Sequence, residues 1–251
     1  MSRCSAYLVS AMMILGMIGG VGMHSSAAED VQAVRRQFST TEEISSIQIK
    51  ENGASVTIRP GEGNQTYVNY ADTSEEELYD IHVDNGTLVI DKLRENPLKT
   101  IVVNGKIVEI SIDESYCLEI IVPQKQYDSI AIENSGNGNA TLDSISSANI
   151  GVELKNGSSE FLQTQSDDMN VKIVNGSITF DRTNSSKYDC EVTNGKIQGN
   201  IIGNYDNYSI DAYVRNGTCN LNPNLVSTTN CLLKLYVKNG KIEVSFNSSK
   251  I

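Results

Sequence analysis

The sequence predicts an all-β, single-domain β-solenoid, or β-helix, with coils of about 19–23 residues, and three observations lead there. The dipeptide Asn-Gly occurs nine times, beginning at Asn52, Asn85, Asn104, Asn137, Asn156, Asn175, Asn194, Asn216 and Asn239. Successive spacings are 33, 19, 33, 19, 19, 19, 22 and 23 residues, so one small unit is copied along the chain. Around six of these (Asn85, Asn156, Asn175, Asn194, Asn216, Asn239), residues four and two before the Asn and three and five after it are apolar. They run from Ile81, Val83, Leu88 and Ile90 to Leu235, Val237, Ile242 and Val244, and only Ser159 and Gly199 break the rule. The interleaved positions are polar apart from Val89, Val174, Tyr213 and Tyr236. Beyond the leader, no long stretch shows helical periodicity.

Alternation with period two marks a strand, because successive side chains leave it on opposite faces. Asn-Gly supplies residues that enter left-handed backbone cheaply, which makes it the corner of each unit. The same local pattern is also a strong β-hairpin signal: a type I′ turn would set Ile173 opposite Ile178, and a meander or sandwich of such hairpins competes with the solenoid. Three consecutive spacings of 19 favour coils, since stacked windings must share a perimeter while loops between hairpins vary freely. Right-handed winding is favoured, with the handedness left open. In-register stacking brings Glu153, Lys172 and Glu191 into one outward column of alternating charge, worth roughly 0.2–1 kcal/mol per pair. The inward residues contribute more, about 1.5–3 kcal/mol for each fully buried Val, Ile, Leu or Phe.

Residues 1–28 read as a signal peptide: Arg3, then an uncharged run from Ala6 to Met23, then Ser25, Ser26, Ala27 and Ala28 before Glu29. An uncleaved signal anchor is the alternative. Residues 29–46 are polar, with Val31, Val34 and Phe38 at spacings that permit a short helix, and form a linker or capping segment. The repeat domain occupies residues 47–251, with strands expected from near Ile47. The acidic run Ser74–Leu78 suits a projecting loop, Lys92–Lys99 with Pro97 a second excursion, and Pro223 with residues 225–230 a widened corner. The last coil, ending at Phe246, is expected to cap the open end of the core, helped by the tail from Asn247 to Lys250.

The full chain carries a formal charge of −11; losing Arg3 with the leader leaves 19 basic against 31 acidic side chains, or −12. Such a surplus disfavours nucleic acid, which needs a basic footprint, and passive docking on anionic lipid. It suits a soluble, exported protein. Beyond Cys4 the chain holds Cys117, Cys190, Cys219 and Cys231. The even count admits a disulfide framework, a Cys219–Cys231 bond included, but the inward phase of Cys190, Cys219 and Cys231 favours buried free thiols.

Three stretches, ISSIQIKENGASVTIRP (Ile44–Pro60), GTLVID (Gly86–Asp91) and LEIIVPQKQYDSIAIENSGNGNATL (Leu118–Leu142), resemble a bacterial family of β-strand repeat proteins catalogued as putative adhesin, a domain of unknown function. The resemblance covers nearly all of the chain after the leader. It implies a β-helix-like fold, export to the cell envelope and often a membrane tether, and it offers no catalytic residue to carry over. Here the corners are almost uniformly Asn-Gly, where relatives more often have Ser-Gly.

No P-loop, nucleophile elbow or paired histidines occur, and no cofactor or metal is expected. His82 lies on the wet phase of its strand, as a solvated surface residue or a general base. Asp167, Asp168, Asp181, Asp189, Asp206 and Asp211 lie near corners; turn chemistry explains them, and they lack the regular array of a calcium-binding repeat. Tyr213 and Tyr236 share one outward position in consecutive coils, as a stiffening cross-strand pair or as a binding strip. The expected function is that of an exported, non-enzymatic adhesin or scaffold for cell-surface glycan or protein. The alternatives are a β-helix polysaccharide lyase or hydrolase and a membrane-tethered envelope-stress accessory.

Overall fold

The computed structural model describes residues 33–95, 99–103, 106–110, 117–223 and 225–247. The leader, residues 29–32, Pro97, the Asn104-Gly105 dipeptide and residues 248–250 of the tail lie outside the described residues. In chain order come β1 (Ala33–Thr40), β2 (Ser46–Glu51), β3 (Val56–Gly61), β4 (Thr66–Thr73), β5 (Tyr79–Asp84), β6 (Thr87–Lys92), β7 (Lys99–Val103) and β8 (Lys106–Ile110). Then follow β9 (Leu118–Pro123), β10 (Gln126–Asn137), β11 (Ala140–Asp143), β12 (Ser146–Leu162), β13 (Gln165–Ile202), β14 (Tyr208–Cys219) and β15 (Cys231–Asn247), with one 3-10 turn at Tyr205–Asn207. The architecture is all-β and solenoid-like, for the long strands pair in parallel. Ser146–Leu162 of β12 runs beside Gln165–Asp181 of β13, Asn156 against Asn175 and Gly157 against Gly176.

The alternation read from the sequence is the division between core and solvent. Of the inward residues in the six aligned copies, all are buried except Ile81, Val83, Gly199, Val214 and Cys219. Val171, Ile178, Val192, Leu233 and Val237 have no exposed surface. Phe161, Phe180, Tyr188 and Tyr208 continue the interior as rings 5.4–6.2 Å apart. Ser159 is also fully buried, with its hydroxyl unpartnered.

Among the described residues, the Asn85-Gly86 step is a hairpin turn and not a coil corner. β5 and β6 pair antiparallel from Tyr79 with Lys92 to Asp84 with Thr87, around Asn85 (φ 49°) and Gly86 (φ 77°), the type I′ geometry. β7 and β8 also pair antiparallel, Val103 with Lys106. At the stacked corners of Asn156, Asn175, Asn194, Asn216 and Asn239 the Asn stays out of the left-handed region and the Gly adopts φ of 139–151°. There the Asn has a different task. Side-chain amides donate Asn156 to Asn137, Asn175 to Asn156, Asn194 to Asn175, Asn239 to Asn194 and Asn216 to Asn239, at 2.7–3.0 Å. This amide ladder follows the stack. A second column of corners, Ser144, Gln163 and Arg182 (φ 48–56°), has the same 19-residue spacing but no marker residue.

Spatial order departs from chain order at both ends. The last winding does not cap the stack, contrary to the expectation from sequence: β15 lies between the second half of β13 (Asn194 against Asn239) and β14 (Asn216 against Asn239). The loop after Cys219 carries the chain back inside, leaving β14 outermost. At the opposite end, β2 sits between β6 and β10, and β3 between β9 and β11. Residues 33–40 form a strand and no helix; β1 pairs antiparallel with β4, which pairs antiparallel with β9. The Ser74–Leu78 run is a loop, but Leu78 is buried and its N–H donates to Asp72 Oδ1 at 2.8 Å.

Candidate functional site

One outward column crosses the stack. Register places Asp91, Lys50, Glu133, Glu153, Lys172, Glu191, Tyr236 and Tyr213 side by side, from β6 through β2, β10, β12, β13 and β15 to β14. Lys172 Nζ lies 3.6 Å from Glu153 Oε1, as the alternating column requires, whereas Glu133 beside Glu153 sets like charges together. A shallow depression of about 440 Å³ opens along it, lined by Glu133, Glu153, Lys155, Lys172, Val174 and Glu191. Val174 is 46% exposed. At the β14 end the rings of Tyr213 and Tyr236 stack, centroids 5.8 Å apart and planes inclined by 11°. Two residues beyond each ring, alternation returns Arg215 and Lys238 to the outward face.

Among the candidate residues the structure gathers only this tyrosine pair into a surface unit. The acids disperse into ion pairs: Asp168 with Lys187 (2.5 Å), Asp181 with Arg182 (3.7 Å), and Asp189 with Lys234 (3.1 Å). Asp211 flanks Lys234 on the next strand. Asp206 lies in the 3-10 turn, and Asp167 is exposed. His82 Nδ1 lies 3.2 Å from Asp80 Oδ1 on the surface. Cys117, Cys190, Cys219 and Cys231 are free thiols, and Cys190 is buried. No cluster of potential metal ligands occurs among the described residues.

Sequence reasoning missed a buried charged cluster under the first corner. Glu51, at the end of β2, accepts the N–H groups of Asn52 (2.9 Å) and Ala54 (3.2 Å) at Oε1 and the Tyr79 hydroxyl (2.8 Å) at Oε2. Lys92 Nζ sits 3.9 Å from Oε1 and 3.8 Å above the Tyr79 ring, with both charged side chains almost wholly buried. Asp72 accepts from Arg36 Nε at 2.8 Å. Burial pushes the Tyr79 phenol up, with Glu51 adding to it. Burial pulls the Lys92 ammonium down against the pull of Glu51, and raises the Asp72 carboxyl. A group so enclosed meets no substrate; the cluster ties the hairpin β5–β6 and the end of β4 to the stack.

Ionisation of the core predicts alkaline unfolding. Burial raises the phenols of Tyr79, Tyr127 and Tyr188 and the Cys190 thiol, and pushes Tyr208 up to about 12. Above the unfolded values the folded state keeps protons that the unfolded state releases, so stability is full below them and falls as pH rises. Each such phenol costs about 1.4 kcal/mol per pH unit above roughly pH 10. Lys92 acts oppositely, as a single group, and only up to its unfolded value. Urea denaturation at increasing pH from 8 to 11 reads this as a falling midpoint; a flat profile would contradict it.

Comparison with known proteins gives a family match: the model described as Toastrack DUF4097 matches residues 44–250. No curated protein matches the chain. Among solved structures, a putative cell adhesion protein from Clostridium sporogenes is 14% identical with a TM-score of 0.44, over 85% of this chain and all (100%) of that one. A putative adhesin from Bacteroides fragilis is 12% identical with a TM-score of 0.38, over 85% and 97%. Another, from Parabacteroides distasonis, is 10% identical with a TM-score of 0.30, over 85% and 98%.

Proposed function

The chain belongs to the Toastrack DUF4097 family, and from that premise we propose that it is an exported, non-enzymatic adhesin-like scaffold of the cell envelope. Export rests on residues 1–28, read as a signal peptide or a retained anchor, and the body winds in right-handed coils of about 19–23 residues. Its outward column meets a cell-surface glycan or protein at the stacked Tyr213 and Tyr236. That stack is the observation that carries the reading: two phenols side by side, one of them 56% exposed, beside Arg215 and Lys238 on an otherwise acidic protein. Aromatic faces take up sugar rings and apolar side chains, and the cations favour anionic groups on the partner.

Binding of the purified protein to an array of cell-wall glycans and matrix proteins, repeated with Tyr213→Ala and Tyr236→Ala together, tests it. The expected result is a retained ligand whose affinity falls about tenfold or more in the double variant. Turnover of a glycan, or binding indifferent to both rings, would overturn the proposal.

A further inference from the structure

β14 is the outermost strand of the stack and, among the described residues, pairs with no strand but β15. Ile210 N–H, on its outer edge, donates to Leu225 O at 2.7 Å, the one bridge formed there among the described residues. A residue's N–H and C=O point to the same side of a strand and alternate along it, so Ala212 and Val214 turn theirs to the same open edge as Ile210. The core is also unfinished at this point. Val214 is only half-buried, whereas Val192 and Val237 in the same inward column are fully covered. Asp211, Tyr213, Arg215 and Asn216 are exposed.

We infer that this edge pairs with the β14 edge of a second copy of the chain, antiparallel and centred on Tyr213. In that register Ala212 faces Val214 of the second copy and Val214 faces its Ala212, the residues whose backbone groups are open among the described residues. Four backbone hydrogen bonds form, and both pairs of inward side chains are covered. On the outward face Asp211 meets Arg215 of the second copy and Arg215 its Asp211. Tyr213 meets its own equivalent, extending the existing stack to four rings. A parallel copy in register would set Asp211 on Asp211 and Arg215 on Arg215, like charge on like. The antiparallel pairing is self-complementary about a two-fold axis and closes on itself, so it yields dimers and no fibres. Leu225 on Ile210 limits the pairing to the segment around Asp211–Arg215. The pairing stands whether or not a glycan occupies the strip.

Sedimentation equilibrium of the protein in the form its producing cell makes tests this with the two charge reversals Asp211→Arg and Arg215→Asp. Wild type is expected as a reversible dimer. Each single reversal weakens it at least about tenfold, because both symmetric pairs become like-charged, and the double reversal restores it to about the wild-type constant. Circular dichroism checks that each variant is folded. Monomer at every concentration, leaving the edge to another partner or to none, would overturn the inference. So would open-ended polymers, or a dimer indifferent to the single reversals.

Discussion

Gly176→Ala is expected to unfold the stack or to cost more than about 4 kcal/mol, among the largest effects of a single methyl group. A Cβ at Gly176 would stand 1.7 Å from the carbonyl oxygen of Gly157, on a backbone with φ of 151° that L side chains rarely adopt. That oxygen belongs to the neighbouring corner, and neither can retreat without opening the interior beside it. The contact is repeated: Gly195 meets Gly176, Gly240 meets Gly195, and Gly217 meets Gly240, each at 1.7 Å. Gly151 is the control. A Cβ there meets nothing within 4 Å and its φ is ordinary, so Gly151→Ala should be neutral or stabilise by a few tenths of a kcal/mol to about 1 kcal/mol. Thermal denaturation of the two variants separates them; a Gly176→Ala protein as stable as Gly151→Ala would refute the stacked corner.

Glu51→Ala is expected to destabilise by about 3–5 kcal/mol, the usual cost of removing one member of a buried charged network. The loss leaves the Tyr79 hydroxyl and the N–H groups of Asn52 and Ala54 without their acceptor, and removes the carboxylate that faces Lys92. Because the cluster joins the β5–β6 hairpin to the first corner, opening should begin there. Hydrogen exchange is then expected to accelerate in Tyr79–Lys92 while Val171–Val192 stays protected. Uniform acceleration, or a change below about 1 kcal/mol in urea denaturation, would show that Glu51 does not hold this end.

The coil body was legible in the sequence because its information is local and periodic. Val171, Ile173, Ile178 and Phe180 face inward because period-two alternation and a 19-residue repeat leave them no other common interior. The same locality misassigned Asn85. In the hairpin, Ile81, Val83, Leu88 and Ile90 have the phase they would have around a coil corner, so only the partner strand distinguishes the two, and partners are set by tertiary pairing. The insertion of β15 beneath β14 escaped for a similar reason, since Asn194 matches Asn239 as well as it matches Asn216. The Ser144, Gln163 and Arg182 corners carry no Gly or Asn to mark their left-handed backbone. As for the candidate sites, the tyrosine pair was legible because its two residues share one repeat position. The Glu51 cluster was not, because Glu51, Asp72, Tyr79 and Lys92 come from four strands, β2, β4, β5 and β6, brought together around the end of β2, where β6 pairs with both β2 and β5.

The most direct test of stacked windings is the through-space contact of corner amides by nuclear magnetic resonance. The account predicts contacts of the Asn175 side-chain amide with Asn156 and Asn194, and of Asn239 with both Asn194 and Asn216, with no direct contact between Asn194 and Asn216. Cross-strand backbone contacts between Val174 and Ser177, as in an antiparallel ribbon, without the Asn–Asn contacts, would contradict it.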